Sequence, residues 1–249
     1  MRADQSEIIR EVSGMTQEEK IEAGNVLNNK GWELQQEDPE KAILWYEKAV
    51  KLGNITAMIN LGNIYEDRGD YEQAYHWYLE AALAGDERGM FNVANMHYYG
   101  EHVEQDYEKA YGYFEKLYKA GNVSACFYMG LYAENGFLGD PDPTEAVRYY
   151  REGADQGDGY CAVNLGRMYC LGIGVPKDEE KGFVLYMLGY ERGDPLACAD
   201  VGYCYEVGQG VEKDLGKARM FYEEGAEQGE EHCIEALERL NGEVEQDGE

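Results

Sequence analysis

Basic residues are scarce in this 249-residue chain. Lys and Arg together number 22, against 50 Asp and Glu, and the formal net charge is −28. Proteins that bind nucleic acids or anionic membrane surfaces concentrate Lys and Arg on one face. The sequence contains no such cluster. It therefore predicts neither a nucleic-acid partner nor binding to a membrane surface.

Long apolar runs and metal-binding spacings are also missing. No stretch approaches the roughly 20 apolar residues of a membrane span, and the start, MRADQSEIIREVSG, lacks the features of a secretory signal. The six cysteines contain no Cys-x-x-Cys pair, and the four histidines do not fall at zinc spacings. These absences predict buried free thiols in a cytoplasmic protein without metal or cofactor, unless a signal peptide has already been removed.

Glycine, by contrast, is abundant, and one pair of glycines raises the question of a phosphate-binding loop. The stretch LGIGVPKDEEKGF places Gly172 and Gly174 before a helical-looking run, as Gly-x-Gly nucleotide motifs do. It lacks the Gly-Lys-Ser/Thr that grips a phosphate, and VGQGVEKD repeats it 36 residues later. We therefore expect these glycines to turn the chain between two helices.

A single glycine position recurs along most of the chain. The successive intervals are 32, 36, 36, 36 and 36 residues between Gly53, Gly85, Gly121, Gly157, Gly193 and Gly229. A fixed period in this range indicates a repeat architecture. Each closing glycine is predicted to end a helix in a left-handed conformation.

Alignment on these glycines reveals a first helix in each unit. Large apolar residues share one position, namely Leu61, Val93, Met129, Leu165 and Val201. Small residues follow directly, namely Gly62, Ala94, Gly130, Gly166 and Gly202. Apolar and small residues at this spacing form one face of a helix, and small residues let another helix approach closely.

A second helix begins at an aspartate in all six units. The six residues are Asp38, Asp70, Asp106, Asp142, Asp178 and Asp214. An aspartate here can accept hydrogen bonds from the free N–H groups of the first helical turn. Gln73 and Glu145 stand three residues after theirs, where they would complete a capping box. One acid per unit does not match a calcium loop, so capping is the predicted role.

An aromatic residue stands at one position inside every second helix. The six are Tyr46, Tyr78, Phe114, Tyr150, Tyr186 and Tyr222. Aromatic residues at helical spacing are typical of a packed core. We interpret this series as the seam along which successive repeats pack.

These shared positions resemble Sel1-like repeats, which are related to the tetratricopeptide repeat. The segments CAVNLGRMYCLGIGVPKDEEKGFVLY and ACADVGYCYEVGQGVEKDLGKARMFY match the pattern A-x-x-x-L-G-x-x-Y-x-x-G-x-G-V-x-x-D-x-x-K-A best. The segment AMINLGNIYEDRGDYEQAYHWYLEAALAG is four residues shorter and is closer to a tetratricopeptide unit. The resemblance covers roughly Ile21 to Leu240 and implies an all-α, right-handed superhelix of about six helix–turn–helix repeats, a solenoid.

The predicted organisation has three parts. An N-terminal segment or capping helix occupies residues 1–20, the repeat array residues 21–241, and an acidic flexible tail residues 242–249. The units of the array are residues 21–53, 54–85, 86–121, 122–157, 158–193 and 194–229, followed by a capping helix at 230–241. The first unit lacks the Leu-Gly pair, so it is expected to act as a cap.

The resemblance implies a scaffold or adaptor that binds a protein segment on a concave face lined by first helices. By analogy with tetratricopeptide grooves, the predicted partner-binding residues are Asn63, Phe91, Asn95, Tyr99, Phe127, Leu131, Arg167 and Tyr203. The same spacing also places Ile59, Tyr160 and Val163 on this face. Aromatic side chains would act as anchors, and asparagines could pair with peptide N–H and C=O groups. The competing interpretation is that some of these side chains pack between repeats.

The nature of the partner is constrained by charge. A clamp for acidic C-termini would need Lys or Arg at positions held by Ile59, Ser124 and Tyr128, so a neutral or basic segment fits better. No nucleophile–base pair, metal set or cofactor loop supports an enzyme. Alternatives are a self-assembling scaffold, or a regulatory subunit of an enzyme complex. The chain is expected to be a monomer or a weak homodimer.

Overall fold

The structure, a computed structural model, describes residues 14–194 and 196–246. These residues form thirteen α-helices and no β-strand. The helices are α1 (Gln17–Leu34), α2 (Pro39–Lys51), α3 (Ile55–Asp67), α4 (Tyr71–Leu83), α5 (Glu87–Tyr99), α6 (Tyr107–Lys119), α7 (Ser124–Asn135), α8 (Pro143–Asp155), α9 (Gly159–Leu171), α10 (Glu179–Glu191), α11 (Ala197–Val207), α12 (Leu215–Glu227) and α13 (Glu231–Gln246). The all-α prediction is confirmed.

The helices alternate along the chain as the repeat pattern predicts. The first helices of the six repeats are α1, α3, α5, α7, α9 and α11, and the second helices are α2, α4, α6, α8, α10 and α12. Helix α13 begins at Glu231, close to the predicted capping helix, but it extends to Gln246, where a flexible tail was expected. Residues 1–13, within the predicted N-terminal segment, and the final residues 247–249 lie outside the described part.

The chain divides into two compact units, residues 1–117 (unit 1) and 118–249 (unit 2), with the division inside α6. In unit 1, α1 packs on α2, α3 on α4, and α4 on α5. In unit 2, the pairs are α7 with α8, α9 with α10, and α11 with α12, and α13 packs on α12. None of the helices in the described residues is both long and apolar enough to cross a membrane.

The six aspartates that precede the second helices act as N-caps, as predicted. For example, Asp38 Oδ1 accepts from Lys41 N at 3.1 Å, and Asp178 Oδ1 accepts from Lys181 N at 3.0 Å. The other four make the equivalent bond to the residue three positions later. The cap has the same form in both units, because the same residue meets the same free N–H groups.

The capping-box prediction for Glu145 was wrong, since that carboxylate instead accepts from Arg148 Nε at 2.9 Å. A full capping box does occur at α1. There Glu19 N donates to Thr16 Oγ1, and Thr16 N donates to Glu19 Oε2. On an exposed helical turn, a glutamate can pair with a basic side chain one turn away instead of accepting from the backbone N–H of the N-cap residue.

The recurring aromatic packs first against its own repeat. A Cβ atom at Gly62 would lie 2.3 Å from the Tyr78 ring, and one at Gly130 would lie 2.3 Å from the Tyr150 ring. The small residue of the first helix thus makes room for the aromatic of the second. Tyr46 also belongs to a cluster with Leu61 of the next repeat. The recurring aromatic therefore packs within its own repeat as well as against the next repeat, and the predicted seam describes only the second contact.

The glycines that resembled a phosphate loop turn the chain, as expected. Gly172 ends α9 with φ +71°, and its N–H donates to the carbonyl of Met168. A Cβ atom at Gly174 would lie 2.3 Å from the backbone oxygen of Pro143, in the preceding repeat. Val175 packs against the neighbouring hydrophobic core. Glycine is needed here for a left-handed turn and for close contact with another backbone.

Candidate binding surfaces

We call the solvent-facing side of the first helices the first-helix face, and the two units are described separately. In unit 1 it includes Asn63 and Tyr99, which are exposed, and Phe91 and Asn95, which are partly buried. Asn63 Oδ1 accepts from the Tyr78 hydroxyl at 2.8 Å. The Phe91 ring packs edge-on against Phe114, with centroids 6.0 Å apart. Two of these four side chains therefore contribute to packing as well as to the surface.

In unit 2 the predicted residues are more firmly held. Phe127 is partly buried, and its ring centroid lies 5.7 Å from that of Tyr160. Leu131 is also partly buried. Arg167 Nη2 donates to both carboxylate oxygens of Glu134, at 2.6 and 2.7 Å. Tyr203 is 51% exposed. Of the predicted set in this unit, Tyr203 is the side chain most available to a partner.

The helical spacing misplaced two residues on this face. Ile59 is 5% exposed and Val163 is 8% exposed, and both belong to the hydrophobic core. Each faces the neighbouring second helices, and burial of a large aliphatic side chain there is worth about 1.5–3 kcal/mol. Residues three and four apart lie on the same side of a helix. Which of them are buried depends on the helices that pack against that side.

Exposed aromatic side chains are confined to the first helices. Four Trp, Tyr or Phe residues are more than 36% exposed, namely Trp32, Tyr99, Tyr160 and Tyr203, and all four lie on first helices. The exposed large side chains of the second helices are aliphatic, such as Leu44, Leu83 and Val184. Trp32, at 65%, is the most exposed of the four, and it directly follows Gly31, whose Cβ position touches the Tyr46 ring.

The buried tyrosines of α2, α8 and α12 each meet a polar residue at the C-terminal end of the preceding first helix. The Tyr46 hydroxyl donates to Gln35, that of Tyr150 to Glu134, and that of Tyr222 to Glu206. Burial raises the pKa of Tyr46 to about 12. These hydroxyls therefore stay protonated and act as hydrogen-bond donors.

Two of these acids also bind an arginine, one from the first helix of the next repeat and one from α13. Glu134 binds Arg167, as described above, and Glu206 accepts from Arg239 Nη2 at 2.7 Å. Hydrogen bonds from Arg239 hold the pKa of Glu206 below its usual range. The resulting Tyr–Glu–Arg sets connect neighbouring repeats of unit 2.

A pocket of about 570 Å³ opens between α11 and α13 in unit 2, and we call it the C-terminal pocket. Its lining includes Leu196, Ala199, Asp200, Tyr203, Ala236 and Arg239. This volume falls within the usual range of ligand pockets, about 300–1,000 Å³. The walls thus combine apolar and aromatic surface with three carboxylates, those of Glu230, Glu235 and Asp200.

Among the carboxylates of this pocket, Asp200 has an unusual environment. It is partly buried and makes no hydrogen bond or ion pair with any other described residue. Burial, reinforced by the negative charges of Asp194 and Glu230, raises the pKa of Asp200 to about 6. Arg167 and His232 oppose this shift. The pocket therefore holds an acid without a partner.

Comparison with known families decides what kind of repeat this is. The Sel1 repeat model matches residues 23–54, 88–122, 123–158, 159–194 and 195–230, which together exceed half of the chain. The chain belongs to the Sel1 repeat family. A tetratricopeptide repeat model matches residues 57–89, which confirms the prediction for the shorter second unit. The match at 23–54 shows that the first unit is a Sel1 repeat although it lacks the Leu-Gly pair, and its role as a cap stays a prediction.

Solved structures of this family have the same fold. A Sel1 repeat protein from Oxalobacter formigenes is 28% identical over 87% of this chain and 88% of that one, with a TM-score of 0.69. A protective antigen of uropathogenic Escherichia coli with an SLR fold is 24% identical over 94% of this chain and 58% of its own, with a TM-score of 0.70. An immunity protein from Pseudomonas aeruginosa is 18% identical, with 82% of each chain covered and a TM-score of 0.54. No curated protein sequence matches significantly. This Sel1 repeat chain is thus an α-solenoid of helical repeats.

Sequence reasoning missed several residues that shape these surfaces. The residue after three of the closing glycines caps the next first helix, as Asn54, Asp86 and Asp158 accept from N–H groups of α3, α5 and α9. The constant spacing of this series could have revealed it. The exposure of Trp32 could have been suspected from its place after Gly31. Nothing in the sequence distinguished Asp200 from the many solvated acids.

Proposed function

We propose that this Sel1 repeat protein is a non-catalytic scaffold or adaptor that binds a protein segment on its first-helix face. Members of the family carry repeats that mediate protein–protein interactions. The observation that carries the proposal is the confinement of exposed aromatic side chains to the first helices. Aromatic residues bury large areas at small entropic cost and dominate the energetics of protein interfaces.

The predicted site residues remain part of this proposal, with different roles. Tyr99 and Tyr203 are exposed enough to act as anchors, and Asn63 adds polar surface beside them. Phe91, Asn95, Phe127, Leu131 and Arg167 are partly buried and would support the face from below. The net charge of −28 favours a neutral to basic segment, mainly by speeding encounter.

A surface-swap experiment tests this proposal without disturbing the core. One variant carries Trp32→Ala, Tyr99→Ala and Tyr160→Ala on first helices. Its matched control carries Leu44→Ala, Leu83→Ala and Val184→Ala on second helices, where the side chains are 56%, 71% and 62% exposed. A partner isolated with the intact chain and then purified should bind the first variant at least about tenfold more weakly, equivalent to roughly 1.4 kcal/mol. The control should bind as the intact chain does.

The opposite result would place the partner on the second helices. Substitution of Phe127 is a poorer test, because its ring packs near Tyr150 and Tyr160 and its loss would also loosen the fold. Light scattering over a range of concentrations distinguishes the alternative of self-assembly. If the face serves self-assembly, the first variant should lose an oligomer that the control keeps.

A further inference from the structure

We propose that the C-terminal pocket binds the cationic side chain of a lysine or arginine in a partner segment, with Asp200 as its counter-ion and Tyr203 as its aromatic wall. The proposal rests on the proposed function, because it specifies one contact on the first-helix face. Three observations support it: the pocket itself, the carboxylate inside it that has no partner, and the pairing of the nearby cations with other acids.

The cations of the pocket are already engaged. Arg239 binds Glu206, and His232 Nδ1 lies 2.7 Å from Glu230 Oε1. Arg167, which acts on Asp200 from the neighbouring repeat, binds Glu134. Each of these positive charges is compensated locally. Asp200 is left as an uncompensated acid, and the exposed Glu235 adds negative charge at the same pocket.

A partly buried carboxylate without a hydrogen-bond partner lowers the stability of the folded protein. The raised pKa of Asp200 expresses the same cost, since the folded state disfavours the charged form. A basic side chain would supply the missing hydrogen bonds and the opposite charge together. At a pH where Asp200 is ionised, a bound cation therefore removes this cost.

The walls match the rest of a lysine or arginine side chain. Leu196, Ala199 and Ala236 provide apolar surface for the methylene stem, which such side chains bury while their charge stays polar. The Tyr203 ring, 51% exposed, can lie against the charged end and attract it through a cation–π interaction. A metal ion is a weaker candidate, because no three metal-ligating side chains converge within residues 14–194 and 196–246.

Short peptides test the pocket directly on the full chain. The probes are acetylated, amidated Ala-Arg-Ala and Ala-Lys-Ala, with Ala-citrulline-Ala as the uncharged analogue of arginine. NMR amide shifts of residues 199–203 and 236–239 report binding. The arginine or lysine peptide should saturate these shifts, and the citrulline peptide should bind at least about tenfold more weakly. Equal binding of the arginine and citrulline peptides would overturn the proposal.

Two variants isolate the carboxylate. Asp200→Asn keeps the shape of the side chain and should weaken binding of the cationic peptides at least about tenfold. Glu223→Gln removes one charge from an exposed position of α12 and should leave binding unchanged. Circular dichroism and thermal melting confirm that both variants are folded. Undiminished binding by Asp200→Asn would show that Asp200 is not the counter-ion.

The pocket and the proposed function can fail separately. The surface-swap variant leaves Asp200 and Tyr203 in place. If the peptides do not bind the pocket but the surface-swap variant no longer binds the partner, the pocket proposal is wrong and the scaffold proposal stands. If the peptides bind through Asp200 while the variant keeps its partner, the cation site stands and the wider face is the wrong surface.

Discussion

Units 1 and 2 are built from the same repeat but connect their first helices differently. In unit 1, amide side chains join α1 to α3, as Asn60 Nδ2 donates to Asn28 Oδ1 at 2.9 Å and Asn54 Nδ2 to Asn25 Oδ1 at 2.8 Å. In unit 2, Glu–Arg pairs join α7 to α9 and α11 to α13. The comparison shows that the packing inside a repeat is shared, while the polar contacts between repeats are free to vary.

The difference affects what each face can offer a partner. A buried neutral amide needs hydrogen-bond partners, whereas a buried carboxylate or guanidinium group needs an opposite charge as well. In unit 2, Glu134 and Glu206 are paired with arginines, whereas Asp200 has no partner and one carboxylate oxygen of the buried Asp194 accepts no hydrogen bond. Lowered carboxylate pKa values occur in both units, as at Asp38, where hydrogen bonds from Lys41 lower the pKa, and at Glu206, where hydrogen bonds from Arg239 do so. Among the described residues, the pocket that contains an acid whose pKa is raised by burial, Asp200, lies in unit 2.

The largest expected effect tests the packing that the units share. Gly62→Ala in unit 1 and Gly130→Ala in unit 2 would each place a Cβ atom 2.3 Å from a tyrosine ring. Overpacking of this kind costs about 1–3 kcal/mol. Urea unfolding followed by circular dichroism should show similar losses for both variants. Gly112→Ala, which has open space around its Cβ position, should be neutral or slightly stabilising. Very unequal losses would contradict a shared packing.

The next effect tests the links between repeats. Double-mutant cycles would pair Glu134→Gln with Arg167→Met, and Asn28→Ala with Asn60→Ala. The charged pair should show a coupling energy of about 1–2 kcal/mol and the amide pair about 0.5–1 kcal/mol. Because salt screens charges, 0.5 M NaCl should reduce the first coupling more than the second. Equal couplings with the same salt response would remove the distinction between the units.

A third effect concerns pH and is specific to unit 2. The folded pKa of Asp200, about 6, lies above its ordinary value of 3.8, so proton binding favours the folded state. Stability should therefore rise by about 1 kcal/mol as the pH falls from 7 to 5. Asp200→Asn should remove this gain, as measured by urea unfolding at both pH values.

The comparison with Asp200→Asn is needed because neighbouring groups titrate in the same direction. The hydrogen bond to Glu230 raises the pKa of His232, which therefore also favours the folded state as the pH falls through this range. Burial likewise raises the pKa of Asp194. Glu206 has a lowered pKa, so its contribution to stability is lost only below the ordinary pKa of a glutamate, as the pH falls through the lowered folded value. An unchanged pH response in Asp200→Asn would assign the effect to these neighbours.

The smallest effect concerns the caps, which should not distinguish the units. Asp38→Ala and Asp178→Ala each remove one N-cap hydrogen bond at an exposed helix start. Each should lower the free energy of unfolding by about 0.5–1 kcal/mol, within the usual range for a cap. Thermal melting checks both. A lost partner without a change in melting temperature for Asp178→Ala would instead indicate a binding role for that carboxylate.

Much of the fold was predictable because its causes are local. The caps at Asp38 and Asp178 and the turn at Gly172 depend on a few neighbouring residues whose chemistry is legible in the sequence. The candidate site was less predictable. Tyr203 was correctly placed on the surface, whereas Val163, chosen by the same spacing, is buried. Helical spacing fixes a direction on the helix, but the width of the buried side depends on what packs against it.

The sequence by itself determined the repeat, the alternation of helices, their caps and turns, and the strong negative charge, because periodicity and local chemistry specify these features. Only the tertiary structure decided that Arg167 would be held by Glu134, 33 residues away, that Trp32 would be exposed, and that Asp200 would lie in a pocket without a partner. These outcomes depend on side chains that approach from neighbouring repeats. The distances between side chains of neighbouring repeats are set by how the repeats pack, which the sequence of one repeat does not specify.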